Sequence, residues 1–356
     1  MLLACALCAS AQQLPDNHFE NWSDSFKDEV QLSEWHGSNV AQAGVKFVFM
    51  YRKEGRSGYC AYVTDREVGI PKLGLSATGP GYISLGKPWQ YLKGLLLKTA
   101  TAGTEGGIAW NYRPDTMSVW VKRVGPATDD EDFHLLYYSW SGTAISRQYK
   151  NKVGGCTVTE RTNEESDIRI ATDGNECGTD QPAKQIAEGW YRARAKHYEW
   201  TQIKVPIFYM NDARPSMCNV IFSAGNYPAF RANDGLYDGN ALYVDDVEMI
   251  YSSRIDKLTV NGKEWKGFNP DSEKEQVFKC TKDNVQSTKD FVLAGYRGIG
   301  TLTNIKGEKA TFKGRKLDNK EMTVTPGEIN GKPWVITVKA EDGSSTHVYK
   351  VKIVNN

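Results

Sequence analysis

The chain has 356 residues, with 44 Lys+Arg set against 43 Asp+Glu for a formal net charge of +1. That balance removes the electrostatic case for nucleic acid or an anionic membrane surface as a partner. The length suffices for two domains with cores of their own. Aromatics reach 11% of residues, which suits strands and sugar-stacking surfaces alike.

Residues 1–11 read MLLACALCASA, an apolar run ending in Ala9-Ser10-Ala11. This is the h-region and small-residue cleavage site of a signal peptide, with cleavage expected before Gln12. The basic n-region is missing, which points to a start upstream of Met1. Leu2-Leu3-Ala4-Cys5 also resembles a bacterial lipobox, so a lipid on Cys5 is the alternative. No later apolar run is long enough to span a bilayer. Export to the periplasm, the cell surface or the medium is therefore expected. Cys60, Cys156, Cys177, Cys218 and Cys280 remain after cleavage, an odd set. A Cys156–Cys177 bridge is one reading, and small buried hydrophobes throughout is the other.

Beyond the leader, period-two alternation of apolar and polar residues dominates, the mark of strands with one buried face. Met117 to Val121, Phe133 to Trp140, Ile203 to Tyr209, Cys218 to Phe222 and Leu242 to Ile250 read as strands. Gly79-Pro80-Gly81, Gly106-Gly107 and Asn233-Asp234-Gly235 read as turns, and Pro182 to Trp190 as a short helix or an extended loop. This spacing predicts an all-β sandwich or barrel. A boundary falls near Ser252-Ser253, where Lys257-Leu258-Thr259-Val260-Asn261-Gly262-Lys263 opens a Lys-rich section. There Trp334 to Ala340, the turn Glu341-Asp342-Gly343 and Val348 to Val354 predict a hairpin. Two β domains are expected: residues 14–252, and residues 253–356 as a small immunoglobulin-like sandwich.

Several motifs fail on their chemistry. Gly81 to Lys87 has the spacing of a phosphate loop, but Pro88 stands where Ser or Thr must hold magnesium, and no helix follows. His18, His36, His134, His197 and His347 lack zinc spacing, and neither Cys-x-x-Cys nor G-x-S-x-G occurs. Asp129-Asp130-Glu131-Asp132 reads as a solvated loop. The adjacent pair Asp245-Asp246 is the best polar signal. Strand alternation would send the two side chains to opposite faces. One of them could bind calcium together with Glu20, since calcium takes oxygen ligands; edge acids that block strand pairing are the other reading. Among the aromatics, the loop-like groups offer sugar platforms: Trp89 and Tyr91, Trp110 and Tyr112 with Arg113, and Trp190.

Asn17-His18-Phe19-Glu20-Asn21-Trp22 and Leu242 to Tyr251 look like the first and last strands of a carbohydrate-binding jelly roll, lying side by side in one sheet. Together with Tyr82 to Pro88, Asn111-Tyr112-Arg113-Pro114, and Trp200 followed by Ile203 to Ile207, they resemble the putative carbohydrate metabolism domain of exported proteins of gut-type bacteria. The resemblance covers about residues 14–252. It implies a jelly-roll sandwich and a role in carbohydrate metabolism, and it brings no catalytic residues. Residues 254–356 look like the small β-sandwich modules attached to such proteins. The leading expectation is an exported, non-catalytic binder of a polysaccharide or oligosaccharide, acting beside other glycan-utilisation proteins. The alternatives are a glycoside hydrolase or lyase with paired acids on the concave sheet face, and a structural or adhesion subunit without sugar affinity.

Overall fold

A computed structural model describes residues 12–26, 29–32, 34–42, 45–70, 72, 75–93, 99–125, 133–141, 148–150, 157–159, 184–193, 198–225, 236–280, 291–303 and 309–355. Cys156, Cys177, the 129–132 acids, the Asn233 turn and the leader lie outside those residues. The described chain is all β. In chain order its larger sandwich uses β1 (Met50–Glu54), β2 (Tyr59–Thr64), β3 (Tyr82–Ser84), β4 (Thr116–Val124) and β5 (Phe133–Ser141). It continues with β6 (Lys184–Ala193), β7 (Thr201–Pro206), β8 (Phe208–Tyr209), β9 (Met217–Ser223) and β10 (Ala241–Ile250). Pro182 to Trp190, read as a helix or loop, is thus largely strand β6.

Among the described residues one sheet has five strands in the order β7-β4-β10-β2-β1. The facing sheet runs β8-β6-β5-β9-β3, with His36–Gly37 and Ile108–Ala109 completing its seven strands. Alternation explains the core between them. Met117, Val119 and Val121 of β4 and Leu242 and Val244 of β10 point inward, where they meet Phe133, Leu135 and Tyr137 of β5. Each such aliphatic burial stabilises by about 1.5–3 kcal/mol. The sequence Ile203 to Tyr209 is two strands rather than one. Pro206 has no N–H to extend a ladder, and Ile207 donates its amide to Asp115 O (3.0 Å). The chain thereby passes from the first sheet to the second.

A separate apolar core begins at Ile255 and includes Leu258, Trp334, Ile336, Tyr349 and Ile353. It lies between two four-stranded sheets. The first contains β11 (Lys257–Val260), and β12 (Gln276–Cys280) belongs to the second. β13 (Leu293–Thr303) and β14 (Lys309–Lys316) complete the first sheet with Lys263–Glu264. β15 (Met322–Thr325), β16 (Trp334–Lys339) and β17 (Thr346–Asn355) complete the second. β16 and β17 form the hairpin expected around Gly343, whose φ of 75° fits the glycine.

Candidate functional site

The segment bearing the Asn17–Trp22 motif does lie beside β10, but it is not a strand. Asp16 and Phe19 adopt φ of 42° and 54°, which an extended ladder cannot accommodate. Side chains make most of the pairing instead. Asn17 Nδ2 donates to Val247 O (2.8 Å), and the Val247 amide donates to Asn17 O (2.8 Å). Gln13 exchanges bonds with both backbone groups of Met249 (2.8 and 2.6 Å). Asp16 Oδ1 accepts from the Glu20 amide (3.0 Å), and Phe19 is fully buried. Strand structure starts only at Trp22–Phe26, which pairs with Glu29–Leu32.

This arrangement gathers Glu20, Asp245 and Asp246 around the Gly55–Tyr59 turn. Glu20 Oε1 accepts from the Tyr59 amide (2.9 Å). Gly58 makes room for it, since a Cβ there would stand 2.1 Å from Glu20 Oε1. Asp245 Oδ2 accepts from the Arg56 amide and Oδ1 from the Asp246 amide, both at 2.8 Å. Asp246 pairs with the Arg56 guanidinium and with His18 Nδ1 (2.8 Å). The Arg56 guanidinium lies over Trp120, 3.7 Å from its ring centroid.

The expectation that the two aspartates face opposite ways is corrected here. β4 and β10 shift register between Ser118 and Trp120, and Asp246 takes a φ of 46°. This bulge inserts a residue, so Val244 and Val247 both reach the core while Asp245 and Asp246 share the outer side. Burial pushes the Asp245 carboxyl up to about 6, with the neighbouring Asp246 charge adding to the rise and the Arg56 amide opposing it. Every carboxylate of the trio already accepts from an N–H group. Among the described residues no set of three or more His, Cys, Asp or Glu is placed to hold a metal ion. The donors as arranged serve amides and a guanidinium, and calcium would have to displace Arg56 from Asp246.

The outer face of the five-stranded sheet carries a further feature. Tyr51 stands opposite Tyr62, Tyr62 opposite Tyr243, and Tyr243 opposite Lys122. Trp200, at the start of β7, closes this row, 6.1 Å from Tyr243 between ring centroids. Tyr62 and Tyr243 meet edge to face at 4.8 Å, and Tyr51 and Tyr62 lie 6.0 Å apart. All four rings are half-buried, as is Trp120 alongside. With strands about 4.8 Å apart, the row runs roughly 19 Å across the sheet. The sequence carries a signal for it. Tyr62, Lys122 and Tyr243 sit at alternate positions to the core residues Val63, Val121 and Val244, so alternation assigns them outward.

The loop aromatics fall elsewhere. Trp110 is 4% exposed and belongs to the core, with Tyr112 edge-on to it at 5.1 Å; that burial leaves Trp110 no ring face for a sugar. Arg113 is 2% exposed and binds Asp318 and Glu321 of the smaller sandwich, each at 2.8 Å. Its role is to join the two sandwiches. Trp190 is half-buried on the other sheet, packed with Tyr82, Leu136, Tyr138 and Ile221 and 4.9 Å from His134. On that same face buried Glu188 accepts from Tyr138 Oη (3.2 Å) and Gln185 Nε2 (3.0 Å). Trp89 and Tyr91 occupy the strand Lys87–Lys93, opposite Gly103 and Thr101. Cys60, Cys218 and Cys280 are free and buried, as the hydrophobe reading expects.

The fold and this face define an all-β sandwich protein with an aromatic outer sheet. No protein-family profile and no curated protein matches the chain. Solved structures resemble it in part, two of them putative glycoside hydrolases. One, a putative glycoside hydrolase from Bacteroides thetaiotaomicron, is 14% identical over 66% of this chain and 70% of its own, with a TM-score of 0.38. The other, a putative glycoside hydrolase from Bacteroides vulgatus, is 15% identical over 67% of this chain and 94% of its own, with a TM-score of 0.37. At such identities and TM-scores neither neighbour's chemistry transfers to this chain. No helix among the described residues is long and apolar enough to cross a membrane.

Proposed function

We propose that this chain is an exported glycan-binding protein whose binding surface is the outer face of the five-stranded sheet. The observation that carries the proposal is the row Tyr51, Tyr62, Tyr243 and Trp200, half-exposed across the outer face of the sheet. Flat rings left partly in water lose apolar burial unless a ligand covers them. Pyranose C–H faces supply such a cover, and the neighbouring polar groups can hydrogen-bond sugar hydroxyls. A rigid sheet also holds the rings at fixed spacing, so little ordering cost falls on binding. Residues 14–252 as a carbohydrate metabolism-type jelly roll and 253–356 as an immunoglobulin-like module belong to the same proposal. So do Trp89 and Tyr91 as additional contacts.

The test is a glycan-array screen of the full chain, followed by product analysis on every bound glycan. Binding that weakens about tenfold or more in Tyr243→Ala and Trp200→Ala, with no product released, is the expected result; hot-spot truncations have this size. Released product would instead favour the hydrolase reading, which needs two carboxyls flanking one cleft. Failure to bind any glycan would leave a structural or adhesion role.

A further inference from the structure

Three cations accompany the aromatic row. Lys122 Nζ lies 4.7 Å from the Tyr243 ring centroid and 5.7 Å from that of Trp200. Lys53 Nζ lies 5.6 Å from the Tyr62 centroid. At the far end Arg66 donates to Tyr51 Oη (2.7 Å). None of the three forms a carboxylate ion pair among the described residues, whereas Glu20, Asp245 and Asp246 are engaged at the other corner. Asp246 is held by Arg56 and His18, Asp245 by two amides, and Glu20 by the Tyr59 amide.

A chain with nearly equal acids and bases has thus placed cations without acidic partners along its aromatic stripe. Each ammonium sits against a ring, where cation–π attraction orients it yet leaves N–H donors free toward solvent. From this juxtaposition we infer that the face recognises an anionic glycan, one bearing carboxylate or sulfate groups on successive sugars. The rings would take the sugar faces, and Lys53, Lys122 and Arg66 the charges. Charge-assisted hydrogen bonds are stronger and shorter than neutral ones, so they would set selectivity while stacking supplies contact area.

This inference rests on the glycan-binding reading, and the two fail differently. The full chain is titrated calorimetrically with polygalacturonate and with its fully methyl-esterified form, which keeps the backbone and removes the charge. A sulfated galactan and its desulfated form make the second pair, which separates sulfate from carboxylate as the recognised group. We expect one charged form to bind about tenfold or more tightly than its neutral partner, with the advantage shrinking as salt rises. Lys122→Met should remove most of that advantage while keeping the aliphatic contact with the rings, and Lys122→Arg should restore it. Should Lys122→Met fail to fold, exposed Lys53→Met reads the same loss. Equal binding of charged and neutral forms overturns the anionic selectivity but leaves glycan binding intact. Absence of binding to all four overturns the anionic selectivity, and glycan binding itself falls only if the array also yields no bound glycan. Equal or tighter binding of a single-stranded oligonucleotide overturns the glycan as occupant.

Discussion

Asp65 is a residue whose ionisation the fold opposes. It is fully buried, with Oδ1 accepting from the Gly81 amide (2.9 Å) and Oδ2 from Asn240 Nδ2 (3.3 Å). Arg123 Nε donates to Asn240 Oδ1 (3.0 Å), which ties the guanidinium to the same cluster. Burial pushes the Asp65 carboxyl up to about 8, against the lowering effect of those bonds and of Arg123. The folded state therefore binds a proton that the unfolded chain, with an ordinary carboxyl near 3.8, gives up. Stability contributed by that proton is complete below the unfolded value and is lost as pH rises through the folded one. Denaturant melts of the native chain should show stability declining between about pH 4 and 8, and Asp65→Asn should flatten that slope. The substitution gives up the Asn240 contact, so the slope is the readout, not absolute stability. An unchanged slope would remove Asp65 as its source. Nothing in Thr64-Asp65-Arg66 marks the carboxyl as buried. Its environment comes from Gly81, Ala224 and Asn240, which only the tertiary fold brings together.

At the scale of elements, alternation revealed the strands but not their interruptions. Leu242 to Ile250 alternates well enough to be read as one strand, and β10 spans it. The bulge at Asp246 leaves no mark in composition, because an aspartate enters positive φ at modest cost. The slip it causes moves both acids to one side. In the same way Asn17 to Trp22 was legible as a neighbour of β10, whereas its turn geometry was not. Loops carry function more often than strands, so the sequence points to the loop-like aromatics, whereas the outward rings of β1, β2 and β10 share the plain alternation of any half-buried strand. The corner these elements build carries its own expectation about metal. With Arg56 already compensating Asp246 and amides satisfying Asp245, the melting temperature should be the same in EDTA and in millimolar calcium. A rise with calcium would mean that a cation replaces Arg56, since a ligand bound only to the folded state stabilises it by mass action.

At the scale of the whole molecule, the two sandwiches meet through charge as well as apolar contact. Phe208 stacks on Phe312 with centroids 5.6 Å apart, and Gly300 makes that approach possible, since a Cβ there would stand 2.0 Å from the Phe208 ring. Around it Arg113 from the larger sandwich and Arg315 from the smaller converge on Glu321, each at 2.8 Å. Arg297 bridges Glu321 and Asp115, both at 3.5 Å. The three guanidiniums are 2%, 0% and 1% exposed for Arg113, Arg315 and Arg297. Burial alone would raise the Glu321 carboxyl, but hydrogen bonds and charge from Arg315, then the charges of Arg113 and Arg297, bring it below its ordinary value. The same contest leaves Asp318 at about 2, with Arg214 and Arg113 outweighing burial. Because these folded-state values are depressed, the stabilisation is present above about pH 4.5 and is lost as pH falls through the folded values. Neutralising Glu321 leaves three buried cations undercompensated, so Glu321→Gln should cost about 3–5 kcal/mol at neutral pH, the range for breaking a buried pair. It should also lose less further stability on acidification than the native chain does. Each sandwich has its own apolar core, so residues 14–252 should still fold alone, at a lower melting temperature than within the full chain. The native chain should show one calorimetric transition and Glu321→Gln two, as the ionic joint stops coupling the cores. Two transitions in the native chain would mean that the network joins the sandwiches without making them cooperative.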